Sequence, residues 1–191
     1  MSLYKLLAME AHQEIEREYC WYVTLDQDPE ALIAQLRGQY ELLAQGQASI
    51  KSNNGQVRVR FEADSDGTIS YTATTKQFLP KTGDDIPSSK ETTIDIDEDY
   101  FKAFLGVVGE AMFKIRVKIP YTDKEGSFWE VDIFTDKDFK PTKYAKIDLE
   151  TSLTIDDDTV QLPISGTKFP ASPANKHLSD ELLARVMVKL N

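Results

Sequence analysis

The residues of this chain that can do chemistry are charged and come in rows. Glu14, Glu16 and Glu18 fall on even positions while Ile15, Tyr19 and Trp21 fall on odd ones. Arg58 and Arg60 alternate with Val57, Val59 and Phe61, and Lys114, Arg116 and Lys118 with Phe113, Ile115, Val117 and Ile119. Glu130 and Asp132 sit between Trp129, Val131 and Ile133; Lys146, Asp148 and Glu150 between Ala145, Ile147 and Leu149. Lys76 and Glu91 belong to two further alternating segments. A period of two puts each row on one face of a β-strand. Bases on some strands beside acids on others suit a polyphosphate with a divalent cation: Arg and Lys clamp phosphate oxygens, and carboxylates hold a hard ion such as Mg²⁺ or Mn²⁺. Phosphoryl chemistry rests on positioning and charge stabilisation, so no Ser, Cys or His nucleophile is required.

Two arrangements satisfy the same alternation. The charges form the wetted side of an antiparallel sheet, which periodicity alone favours, or they line a closed barrel. The composition of the rows points to the lining, because an ordinary wetted face mixes in more Thr, Ser and Gln.

The elements that carry the rows are legible along the chain. Asp28-Pro29-Glu30 opens a helix over about 29–45, with Leu32, Ile33, Leu36, Tyr40 and Leu43 at helical spacing. Ser52 to Gly55 is turn chemistry, and Asp64-Ser65-Asp66-Gly67 reverses the chain into the Thr-rich strand 68–76. Pro80 to Ser89 reads as the longest irregular loop; Asp97 caps a short helix with Phe101, Phe104, Leu105 and Val108. Val160, Leu162 and Ile164 predict one more strand, and Ser179-Asp180 opens a last amphipathic helix through Leu190. The expected class is α+β, an antiparallel β-barrel of about eight strands with flanking helices.

Length and composition bound the answer. With 191 residues, 41% of them hydrophobic, a single domain over 1–191 is expected. A net charge of −10 argues against double-stranded nucleic acid and anionic membranes, both of which need an excess of Lys and Arg. The single Cys20 forms no internal disulfide, no secretory signal is legible and no run reaches membrane-spanning length, so a cytoplasmic protein is expected. His12 beside the carboxylates reads as a hydrogen-bonding residue, His177 as a surface one, and Trp21 and Trp129 as core. P-loop, dinucleotide and zincin motifs do not occur.

In order and spacing, Glu14-Ile15-Glu16-Arg17, Arg58-Val59-Arg60, Lys76, Lys114-Ile115-Arg116, Trp129-Glu130-Val131-Asp132 and Ala145-Lys146-Ile147-Asp148-Leu149-Glu150 resemble the CYTH superfamily, the triphosphate tunnel metalloenzymes. The resemblance spans residues 9 to 152 and marks the chain as a divergent member. It implies a β-barrel tunnel, a triphosphate-containing small molecule as ligand and Mg²⁺ or Mn²⁺ as cofactor. Glu14, Glu16, Asp148 and Glu150 would be metal-side carboxylates, and Arg58, Arg60, Lys76, Lys114 and Arg116 would bind the triphosphate. Glu91, Glu130 and Asp132 would complete the acidic wall and position an attacking water. The implied reaction is hydrolysis of inorganic triphosphate or of a nucleoside or thiamine triphosphate. The alternatives are a catalytically impaired binding module and a class IV adenylate cyclase-like enzyme. Four positions depart from the family pattern: Glu18 stands where it has Lys, Lys146 and Asp148 where it has Glu, and Thr93 where an acid is expected. Glu18 and Lys146 read together as a charge exchange across the tunnel. A lysine among the carboxylates also competes with a metal for them.

Overall fold

A computed structural model describes residues 17–78, 89–121, 126–151, 160–168, 182 and 184–190. Glu14, Glu16, His12 and His177 lie outside the described residues, as does most of the expected loop 80–89. The strands are β1 (Arg17–Leu25), β2 (Leu42–Ser52), β3 (Gly55–Ala63), β4 (Ile69–Phe78) and β5 (Ser89–Asp95). They continue with β6 (Glu110–Pro120), β7 (Phe128–Thr135), β8 (Pro141–Thr151), β9 (Gly166–Lys168) and β10 (Met187–Lys189). Helix α1 (Pro29–Arg37) separates β1 from β2, and helix α2 (Glu98–Val108) separates β5 from β6. The class is α+β, and every ladder is antiparallel.

The strands join in one sheet in the order β5-β4-β3-β2-β6-β7-β8-β1-β9, with β10 added to β6. No ladder among the described residues joins β5 to β9, so the sheet is open along that seam, where a closed barrel was expected.

Three local expectations are corrected. The helix over 29–45 ends at Arg37, with Gly38 as its C-cap, and Leu42 and Leu43 begin a strand. The core-facing phase of β2 is Ala44, Gly46 and Ala48, residues too small to announce a strand. Space explains them: a Cβ on Gly46 would clash with the ring of Phe61 and lie 3.0 Å from that of Phe113. The strand around Val160 to Ile164 is instead irregular, and the pairing segment is β9, just beyond it. The last helix stops at Val186, where Met187–Lys189 pairs with Met112–Glu110.

The other elements form where their residues call for them. Asp28 accepts from Ala31 N at 2.9 Å and Asp97 from Tyr100 N at 2.7 Å, capping α1 and α2. In the β3–β4 hairpin, Asp64 accepts from the amides of Asp66 and Thr68, and Gly67 takes a positive φ of 82° that glycine adopts without strain.

The odd-numbered phases of β1, β6, β7 and β8 build the main core. Trp21, Val23, Val117, Trp129, Val131, Ile133, Ala145, Ile147 and Leu149 pack against Leu32, Ile33 and Leu36 of α1. Trp21 and Trp129 are buried as expected, their ring centroids 5.6 Å apart. A second cluster joins Phe101 of α2 to Ala48 and Val59. Both helices therefore cover the same face of the sheet, and the charged phase occupies the other. No helix among the described residues is long and apolar enough to cross a membrane.

Candidate functional site

The strand registers place the charged rows on one continuous face. Lys76 stands opposite Glu91 and Gln56, Arg60 opposite Gln47 and Thr72, and Gln45 opposite both Glu62 and Lys114. Arg116 pairs with Asp132, Lys118 with Glu130, Glu130 with Asp148, and Asp132 with Lys146. Every described site residue from the sequence shares this face: Arg58, Arg60, Lys76, Glu91, Lys114, Arg116, Glu130, Asp132, Asp148 and Glu150.

The centre of this face is not a wetted exterior. Lys114, Arg116, Glu130, Asp132 and Asp148 are all buried, Asp132 to 1% exposure, although both helices lie on the opposite side. The sheet is also curved toward this face. Arg58 feels the charges of both Glu91 on β5 and Glu130 on β7. Arg58 lies beyond the Gln47–Met112 end of the β2–β6 ladder, whereas Glu130 opposes Lys118 near the far end of β6. On a flat sheet three strand spacings and at least six residues would put them more than about 20 Å apart. Their mutual influence requires a sheet coiled so that this face is concave and its side chains converge.

At the centre is a buried ion cluster. Arg116 meets Asp132 side-on, Nε to Oδ1 at 2.7 Å and Nη2 to Oδ2 at 2.8 Å, and Lys114 Nζ lies 2.5 Å from the same Oδ2. The remaining Arg116 nitrogen, Nη1, holds Glu130 at 2.5 Å, which Lys118 also reaches at 3.2 Å. Burial disfavours the charge of Asp132, but Lys114 and Arg116 outweigh it and hold its carboxyl far below the usual range. Burial likewise opposes the charge of Arg116, and the hydrogen bonds and charge of Asp132, with Glu130 and Asp148, hold its guanidinium above its ordinary value. Lys114 is the strained member: burial pushes its ammonium down to about 7 despite Asp132, and Arg116 and Arg60 push the same way.

The β3 row is poorer in counter-charge. Arg60 has Glu62 at 3.3 Å, while Glu62 also accepts from the buried Gln45 at 2.5 Å. Burial, then Arg58 and Arg116, lowers Arg60 to about 10. Burial also lowers Arg58, with Glu91 opposing and Arg116 reinforcing the shift. The Nε atoms of both arginines are buried without a hydrogen-bond partner among the described residues. Two adjacent guanidinium groups so placed gain from an anion with several oxygens.

The carboxylates are differently placed. Lys146 Nζ sits 2.5 Å from Asp148 Oδ2, and Lys76 Nζ 2.7 Å from Glu91 Oε1. Glu18 stands opposite Glu150 and Lys146 opposite Tyr22, four residues apart along β1, so the register does not face the two members of the expected charge exchange; the side chain of Glu18 is outside the described ones. Thr93, in place of an acid, meets Thr74 with the hydroxyls 3.0 Å apart. No group of three or more metal-ligating side chains converges among the described residues. Among the described residues, Asp148 Oδ2 is already engaged by the Lys146 ammonium.

Sequence reasoning missed Gln45 and Gln47, which continue the polar face across β2. Their alternation with small residues was the available signal, and the helical spacing of Leu36, Tyr40 and Leu43 masked it.

No family model matches the chain, and no curated protein matches it. Among solved structures it is similar to the PH1819 protein from Pyrococcus horikoshii OT3. That likeness has 15% identity over 89% of this chain and 90% of the other, with a TM-score of 0.43.

Proposed function

We propose that this chain binds a triphosphate-containing small molecule in a tunnel-like hollow formed by the concave ionic face, in the manner of the CYTH superfamily that its motifs resemble. The observation that carries the reading is the pair Arg58 and Arg60. Both are partly buried, both are depressed by burial and by neighbouring cations, and the Nε atoms of both have no hydrogen-bond partner among the described residues. A polyphosphate laid along β3 toward Lys114 and Arg116 would supply the charge and the acceptors this row lacks. Lys76 extends the basic row toward β5. An ordinary structural ion cluster accounts for Arg116 and Asp132 but leaves those guanidinium atoms unexplained.

Hydrolysis is the further step of the same reading. Glu130 and Asp132 already hold cations of neighbouring strands, so on this arrangement they stiffen and position Arg116 and Lys114 against the phosphates. A metal-dependent reaction would need Glu14 and Glu16 to join Asp148 and Glu150, as the family resemblance implies, and the Lys146 ammonium to leave Asp148.

Isothermal titration of the chain with inorganic triphosphate, ATP and thiamine triphosphate tests binding. Phosphate release with Mg²⁺ or Mn²⁺ tests turnover. Binding without release selects the module over the enzyme, a cyclic nucleotide product selects the cyclase, and no binding of any of the three ends the proposal.

A further inference from the structure

The central carboxylates of β7 and β8 each hold a cation from their own chain. Asp132 holds Lys114 and Arg116, Glu130 holds Arg116 and Lys118, and Asp148 holds Lys146. The last pair is the informative one. Asp148 is 2% exposed, and Lys146 Nζ stands 2.5 Å from its Oδ2. A divalent ion binds carboxylate oxygen at roughly 2.0–2.6 Å. Ammonium and ion therefore compete for one position on that oxygen. In register Lys146 also stands opposite Asp132, which with Asp148 is the most buried acid pair among the described residues.

A metal on such a face has two tasks: to neutralise acids that would repel a polyanion, and to present positive charge to a phosphate oxygen. A lysine seated on the carboxylate performs both, since an ammonium has three donors and can span a carboxylate and a phosphate. We propose that the Lys146 ammonium, seated on Asp148, takes the place of a divalent cation on this face, so that the polyphosphate is bound in its metal-free form. The inference rests on the reading above that the face takes a polyphosphate.

The test is titration of the full chain with inorganic triphosphate, once in EDTA and once in excess MgCl₂. The wild-type affinity in EDTA is expected to equal or exceed that in Mg²⁺. Lys146→Glu is expected to lose at least tenfold in EDTA and to recover part of the loss with Mg²⁺, while Lys146→Arg retains wild-type behaviour in both buffers. If Lys146→Glu does not fold, as judged by circular dichroism, Lys146→Gln is read in the same way. Wild-type binding seen only with Mg²⁺, or Lys146→Glu and Lys146→Gln binding in EDTA as the wild type does, overturns the substitution of lysine for metal and leaves the proposed function standing. Absence of binding in both buffers overturns both.

Discussion

Arg116 and Asp132 are locked side-on across the β6–β7 ladder by two hydrogen bonds of 2.7 and 2.8 Å, with Lys114 on the same carboxylate. The three charges are buried together: Asp132 favours the charged form of both cations and they favour its own, while Arg116 opposes the charge of Lys114. Removing one partner strands the rest. Asp132→Asn is expected to destabilise the fold by about 3–5 kcal/mol. Chemical denaturation measures it, and a loss below about 1 kcal/mol would contradict the assignment of Asp132 as the anchor of this face. The double variant Lys114→Met, Asp132→Leu should lose less than Asp132→Asn, because it removes a buried charge together with its counter-charge.

Lys114 gives the fold a pH dependence. Its folded-state value is lowered to about 7 from the ordinary 10.5 by burial, Arg116 and Arg60, against the pull of Asp132. Between those two values the unfolded chain binds a proton that the folded chain does not. Stability contributed by this group therefore rises with pH across that window, by up to about 1.4 kcal/mol per pH unit for one proton. Unfolding free energies from pH 7 to 10 should show the slope, and Lys114→Met should flatten it. An equal slope in Lys114→Met would assign the effect elsewhere.

Arg58 separates binding from stability. Arg58 makes no ion pair among the described residues, and burial lowers its affinity for the proton. Arg58→Ala should leave the unfolding free energy within about 1 kcal/mol of the wild type, as expected for a residue that adds no net stabilisation. It should weaken triphosphate binding at least tenfold. A variant that loses stability and keeps its affinity would make Arg58 structural.

Gly46 tests how closely β2 is packed. A Cβ there would overlap the Phe61 ring and crowd that of Phe113, which in turn meet Phe139 edge-on. Gly46→Ala should destabilise by about 1–3 kcal/mol through overpacking, with partial rescue by Phe61→Leu. Thermal melts of the single and double variants would show it; no change in Gly46→Ala would mean that the aromatic layer yields freely.

Much of this was decided locally. The alternation of Arg58 and Arg60, of Lys114 and Arg116, of Glu130 and Asp132, and of Lys146, Asp148 and Glu150 each depends only on the twofold period of a strand. The caps at Asp28 and Asp97 and the Asp64–Gly67 turn depend on hydrogen bonds within a few residues. Segment 42–52 was hidden because its identity lies in what it packs against: Gly46 and Ala48 are small so that Phe61, Phe113 and Phe101 can cover them.

What the tertiary structure alone decided is the company the charges keep. Periodicity assigns a side chain to a face, but it fixes neither the register between strands nor the curvature of the sheet, both of which are summed over many ladders. Register set Arg116 against Asp132 and Lys146 against Tyr22, four residues along β1 from Glu18. Curvature brought Arg58 into the field of Glu130, and the centre of a face that alternation alone would give to water is buried.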